Sequence, residues 1–98
     1  MSKFYAMLGI GKKAGYILSG ETACTQDIKR KKTSLLILAE DSSENTKNNF
    51  LKLCKKHNVK YIITGEKRKL GHAIGKDLTA MISIRNQSFS DAILNIIK

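Results

Sequence analysis

Leu35 to Ala39 is apolar at every position. A strand of that kind has both faces covered, so it belongs in the middle of a sheet with other layers packed above and below. Tyr16-Ile17-Leu18, Val59 to Ile63 and Ala80 to Ile84 read as three further strands, and stretches of helical periodicity lie between them. Alternation of this sort predicts a sheet between helix layers, a three-layer α/β domain. Proline is absent, so glycines and caps must mark where each element stops.

The helices can be placed from their apolar faces. Ser2 as N-cap opens a first helix to about Lys13, with Phe4, Met7, Leu8 and Gly11 on one face and Gly15 as a left-handed stop. Ser19 and Gly20 open a second helix through about Lys31, in which Cys24 and Ile28 stand four residues apart. Ser42 or Ser43 caps a third, ending near His57–Asn58, with Phe50, Leu53, Cys54 and His57 inward. A short fourth helix runs from Lys67 to about Lys76 on Leu70, Ala73 and Ile74. Ser88 with Asp91 three residues on reads as a capping box for a last helix carrying Phe89, Ile93, Ile96 and Ile97. No repeat or linker interrupts the order, so the 98 residues make one domain.

Charge narrows the partners. Lys and Arg number 18 against 8 Asp and Glu, a net charge of +10 that favours a polyanion, with nucleic acid ahead of an anionic membrane surface. Nothing approaches the ~20 consecutive apolar residues of a membrane span. Lys3 and Lys12–Lys13 break the apolar content at the start, and no cleavage-like site follows, so the expected location is the cytoplasm. Cys24 and Cys54 lack the paired spacing of a metal site, and the expectation is two reduced thiols packed as small hydrophobes.

Enzyme chemistry finds no convergent set of reactive groups. "GIGKKAG" has glycines like those of a dinucleotide fingerprint, but no strand precedes it, which favours close helix packing instead. Gly15 to Gly20 is followed by Glu21 where a phosphate loop needs lysine, and Gly75-Lys76 is followed by Asp77. "LLILAED" has the acid-tipped strand of a receiver domain without the neighbouring acids that hold its metal. His57 and His72 stand alone. We therefore expect no catalysis, no metal and no cofactor.

Basic residues instead gather at element boundaries: Lys12–Lys13, Lys29 to Lys32, Lys55–Lys56, and Lys67, Arg68 and Lys69. Boundaries in an alternating fold share common edges, where helix starts add amides suited to phosphates. With 6% aromatics, already needed in the core, structured RNA fits better than a single-strand stacking platform.

Three segments, "LGIGKKAGYILSGE", "LLILAEDSSENT" and "KLGHAIGK", resemble the L7Ae-type kink-turn RNA-binding family of ribosomal proteins in its order and spacing, and its small stand-alone bacterial members most of all. The resemblance implies an α-β-α sandwich with a mixed four-stranded sheet. It implies binding, as a monomer, of RNA in which a bulge beside sheared G·A pairs bends the helix axis, with ribosomal RNA among the candidates. The family's Gly-Thr-Asn-Glu-like helix start falls on Gly20, Glu21, Thr22 and Ala23. Its guanine-reading positions fall on Thr22 and Ala23, a usual lysine falls on Gln26, and Arg30 matches a basic position. By the same resemblance, Ile84, Arg85 and Asn86 correspond to a loop after the last strand that covers the flipped bulge base. Glu40 and Asp41 would accept hydrogen bonds from guanine amino groups, or hold an RNA-contacting Lys or Arg; the alternative is a turn and helix-start acid. A protein-interaction module of the same fold on the translation machinery is the other functional reading.

Overall fold

A computed structural model, which describes residues 2–97, carries nine elements: α1 (Ser2–Lys13), β1 (Ile17–Ser19), α2 (Glu21–Lys29), β2 (Leu35–Leu38), α3 (Glu44–His57), β3 (Tyr61–Ile63), α4 (Lys67–Ala73), β4 (Met81–Ile84) and α5 (Gln87–Ile97). The strands form a single mixed sheet in the order β1-β4-β2-β3. β4 is antiparallel to both of its neighbours, and β2 and β3 are parallel. β1, β2 and β3 therefore point one way and β4 the other. We call the end that holds the carboxyl termini of β1, β2 and β3 the upper end, and the opposite one the lower end.

Side-chain alternation along the strands separates two cores. Leu35, Ile37, Ile82 and Ile84 face Phe4, Leu8, Leu70, Ile74 and Ile93 of the layer formed by α1, α4 and α5. Leu36, Leu38 and Met81 face Cys24, Ile28, Phe50 and Cys54 of the layer formed by α2 and α3. All four residues of β2 are buried, as its unbroken apolar run requires. The architecture is the expected three-layer α-β-α sandwich.

Gly11 shows why α1 tolerates a poor helix former: a Cβ there would lie 2.6 Å from Phe89 Cε2, so its bareness lets α5 pack close. Packing, not phosphate, explains the glycine.

Several ends differ from the sequence expectations. Ser2 is the first residue of α1 rather than its cap. α2 stops at Lys29 in a Schellman turn, with Lys31 N–H donating to Ile28 O and Lys32 N–H to Asp27 O, both at 3.0 Å. Ser43 is the cap of α3, accepting from Thr46 N–H at 3.1 Å, while Ser42 is buried and donates to Ala39 O. Ser88 lies inside α5. The cap is Asn86, whose Oδ1 accepts from Phe89 N–H at 2.8 Å, and Asp91 receives Gln87 Nε2. An Asx side chain two residues earlier won the capping position that the Ser/Asp spacing suggested. The cysteines are free and buried. Burial, then the nearby Asp27, pushes Cys24 up to about 12, and burial pushes Cys54 up to about 11, so both stay protonated at neutral pH.

Candidate nucleic-acid interface

The upper end is organised around Gly20. This residue caps α2 with φ 97° and ψ 154°, a region that only glycine enters at low cost. A Cβ built there meets no protein atom within 4 Å, so the backbone is open to an incoming ligand. Glu21, Thr22 and Gln26 are exposed, while Ala23 is half-buried beside the buried Cys24. Thr22 and Gln26, four residues apart, share the outer face of α2, and Arg30 at the C-cap continues the same row.

Glu40 and Asp41 follow β2 at this end, and they divide the two readings between them. Asp41 Oδ1 accepts from Lys67 N–H at 2.9 Å and so satisfies the start of α4. That is a structural task, directed at α4 and not at α3. Glu40 is held by its backbone, its N–H on Gly65 O and its carbonyl taking Lys47 Nζ at 2.7 Å, and its exposed carboxylate is left for other contacts. Arg68 is exposed in the first turn of α4.

The return from α4 to β4 also lies here, and sequence reasoning missed it. Its backbone rests on Gly71, where a Cβ would come within 2.8 Å of Leu78 Cα. Leu78 itself is turned out to solvent at 60% exposure. A lone apolar residue among Gly75, Lys76, Asp77 and Thr79 was the available signal.

The other expected residues lie at the lower end. Ile84 is 0% exposed, registered between Ile17 and Leu35, and is core. Arg85 and Asn86 follow β4 where it leaves the sheet below. Lys12 and Lys13 end α1 there as well, because α1 runs down into β1. The boundaries thus form two edges and not one: β4 runs antiparallel, so the turn after it cannot reach the start of α2.

The lower end has its own polar network. Asp27, 3% exposed on the inner face of α2, accepts from Ser83 Oγ at 2.7 Å and from Thr33 Oγ1 at 3.1 Å through Oδ2. Its Oδ1 takes Arg85 Nε at 3.1 Å and Nη2 at 3.0 Å. Charge is divided unevenly between the two ends. Six carboxylates at the upper end (Glu21, Glu40, Asp41, Glu44, Glu66, Asp77) match six cations (Lys3, Lys47, Lys67, Arg68, Lys69, Lys76). At the lower end ten cations (Lys12–Lys13, Lys29 to Lys32, Lys55–Lys56, Lys60, Arg85) meet Asp27, already paired, and Asp91. Most of the net charge of +10 therefore gathers at the lower end, where these groups sum to +8.

An α-β-α sandwich with an open glycine backbone at the start of its second helix defines a recognisable class, and comparison with known proteins gives the class its family. The model of the ribosomal protein L7Ae/L30e/S12e/Gadd45 family matches residues 2–94, and the chain belongs to that family. It is 25% identical over 95 residues to the RNA-binding protein YlxQ of Bacillus subtilis, covering 97% of this chain and 95% of that one. A Bacillus halodurans structure described as of unknown function superposes with a TM-score of 0.93 at 27% identity, covering 99% of this chain and 98% of that chain. The Giardia lamblia 15.5kD RNA binding protein shares the fold, with a TM-score of 0.77 at 21% identity over 95% of this chain and 80% of that chain.

Proposed function

We propose that this chain is a non-enzymatic RNA-binding protein that docks its upper end on a kink-turn, in ribosomal RNA or another structured RNA. One observation carries the reading: Gly20 opens α2 with bare backbone and no protein atom in front of it, at the position the family uses to enter the groove at G·A pairs. Backbone amides and the positive end of α2 suit a phosphate or base edge there. Thr22 and Gln26 extend the contact with a hydroxyl and an amide, and Glu40 supplies an acceptor for guanine amino groups. The exposed Leu78 replaces the Ile84 to Asn86 turn as cover for the unstacked bulge base, because it shares an end with Gly20. The balanced charge of this end fits readout by shape and base edges more than by bulk attraction.

The test is affinity measured on a kink-turn RNA and on the same RNA with its G·A pairs replaced by Watson–Crick pairs. The kink-turn binds at least about tenfold more tightly, a difference of ~1.4 kcal/mol. Equal affinity for the two refutes the reading.

A further inference from the structure

We propose that the lower end is a second RNA site, a groove that grips the phosphodiester backbone of a duplex segment independently of any kink-turn. The groove, of about 620 Å³, lies between the residues that precede β1 and β2 and those that follow β4. Lys31, Lys32, Arg85 and the half-buried Tyr16 line it together with Asn86 and Gln87. It is an open groove with three cationic side chains on its walls, which suits an extended polyanion rather than an enclosed small molecule.

Three features point to phosphate. The first is the charge division: this end carries ten of the cations, and among the described residues the only ion pair there is Arg85 with Asp27. The second is the way Arg85 is held. Nε and Nη2 both sit on Oδ1 of the buried Asp27, whose Oδ2 is fixed in turn by Ser83 and Thr33, and the Arg85 side chain remains 36% exposed beside the groove. A guanidinium anchored along one edge keeps its remaining N–H groups for an oxyanion and loses little freedom on binding. The third is Lys31. It occupies the left-handed C′ position of the Schellman turn at φ 59°, where glycine is the ordinary residue. A long cationic side chain stands where the backbone prefers none, at the groove rim. Phosphodiester is favoured over an acidic protein because Tyr16 is the groove's one aromatic and no large aliphatic side chain lines it, so there is no apolar anchor of the kind a protein partner uses.

This inference does not rest on kink-turn recognition, and its test avoids it. A bulge-free RNA duplex of about twelve base pairs is titrated into the wild-type protein and into a Lys31→Gly, Lys32→Ser double variant, over a range of salt. Each lost phosphate contact lowers the slope of log K against log salt by about one, so the double variant is expected to lose about two. Its melting temperature stays level or rises, since glycine suits the C′ position, which separates binding from folding. In the wild type, amide signals of Gly15, Tyr16 and Asn86 shift with duplex. An unchanged slope, or shifts confined to Gly20 to Gln26, overturns the proposal. So does equally tight binding of poly-glutamate at the same ionic strength, which would assign the groove to an acidic protein.

Discussion

Replacing Asp27 should separate its charge from its shape. The carboxylate accepts from two hydroxyls on one oxygen and from Arg85 Nε on the other, with Nη2 of the same guanidinium in ion-pair contact at 3.0 Å, while 3% exposed. Asparagine preserves the outline. Its carbonyl can face Arg85 and its amide can donate to Ser83 and Thr33, whose oxygens lie 2.9 Å apart. What it loses is charge assistance, the difference between ~1.5–3 kcal/mol for a bond to a charged group and ~0.5–1.5 for a neutral one. The two hydroxyl bonds are shielded from water and count nearly in full. The Arg85 side is about one-third exposed and screened, so it counts for little. The expected cost of Asp27→Asn is about 2 kcal/mol. Asp27→Ala removes both hydroxyl bonds outright, leaves Ser83 with Thr33 as its remaining side-chain partner, and opens a gap, for a cost of about 3–4 kcal/mol, within the usual range for breaking a buried pair from one side. Urea unfolding followed by circular dichroism reads both, and for a domain of this length 2 kcal/mol lowers the melting temperature by roughly 8–16 °C. If Asp27→Asn falls within ~0.5 kcal/mol of wild type, desolvation cancels the charge and the network specifies position without adding stability.

Three further outcomes follow from the same geometry. Gly20→Ala lowers stability by about 1–3 kcal/mol through backbone strain alone, since no protein atom obstructs the new methyl, and calorimetry without RNA checks this; RNA affinity, measured where the variant is fully folded, falls as well. Thr22→Asn, Ala23→Glu and Gln26→Lys together tighten kink-turn binding by about 1–3 kcal/mol, the scale of good base contacts, and give no gain on the G·A-replaced RNA; equal tightening on both would make the lysine a mere charge. Stability falls as pH rises from 9 toward about 12, because the unfolded chain releases thiol protons near 9 that Cys24 and Cys54 retain in the folded state. Alkaline denaturation of Cys24→Ala checks the sign, and its alkaline arm should be the flatter one.

Most of the elements were legible because periodicity is local. Five apolar residues at Leu35 to Ala39 require a central strand whatever surrounds them, and Phe4, Leu8 and Gly11 mark a buried helix face by spacing alone. Gly20 was legible for the same reason, since a glycine between a strand and a helix is a local statement. Which boundaries meet was not legible. It depends on β4 entering antiparallel between β1 and β2, a pairing between residues more than forty positions apart, and this pairing sends Ile84 into the core and Arg85 to the far end from Gly20. Asp27 was hidden for a related reason. It occupies an inward position between Cys24 and Ile28, yet its partners Ser83 and Arg85 come from the other end of the chain. Asp41 read as an acid near a helix start, which it is, but the helix is α4, brought alongside only by the parallel pairing of β2 and β3.

The most direct test is an amide chemical-shift map of the protein with a kink-turn RNA whose stems are trimmed to a few base pairs, too short to span the molecule. Docking at the upper end predicts shifts concentrated at Gly20 to Gln26, Glu40 and Gly75 to Ala80, with Gly15, Tyr16 and Arg85 left nearly unmoved. Shifts confined to the lower end, with the start of α2 silent, would contradict it.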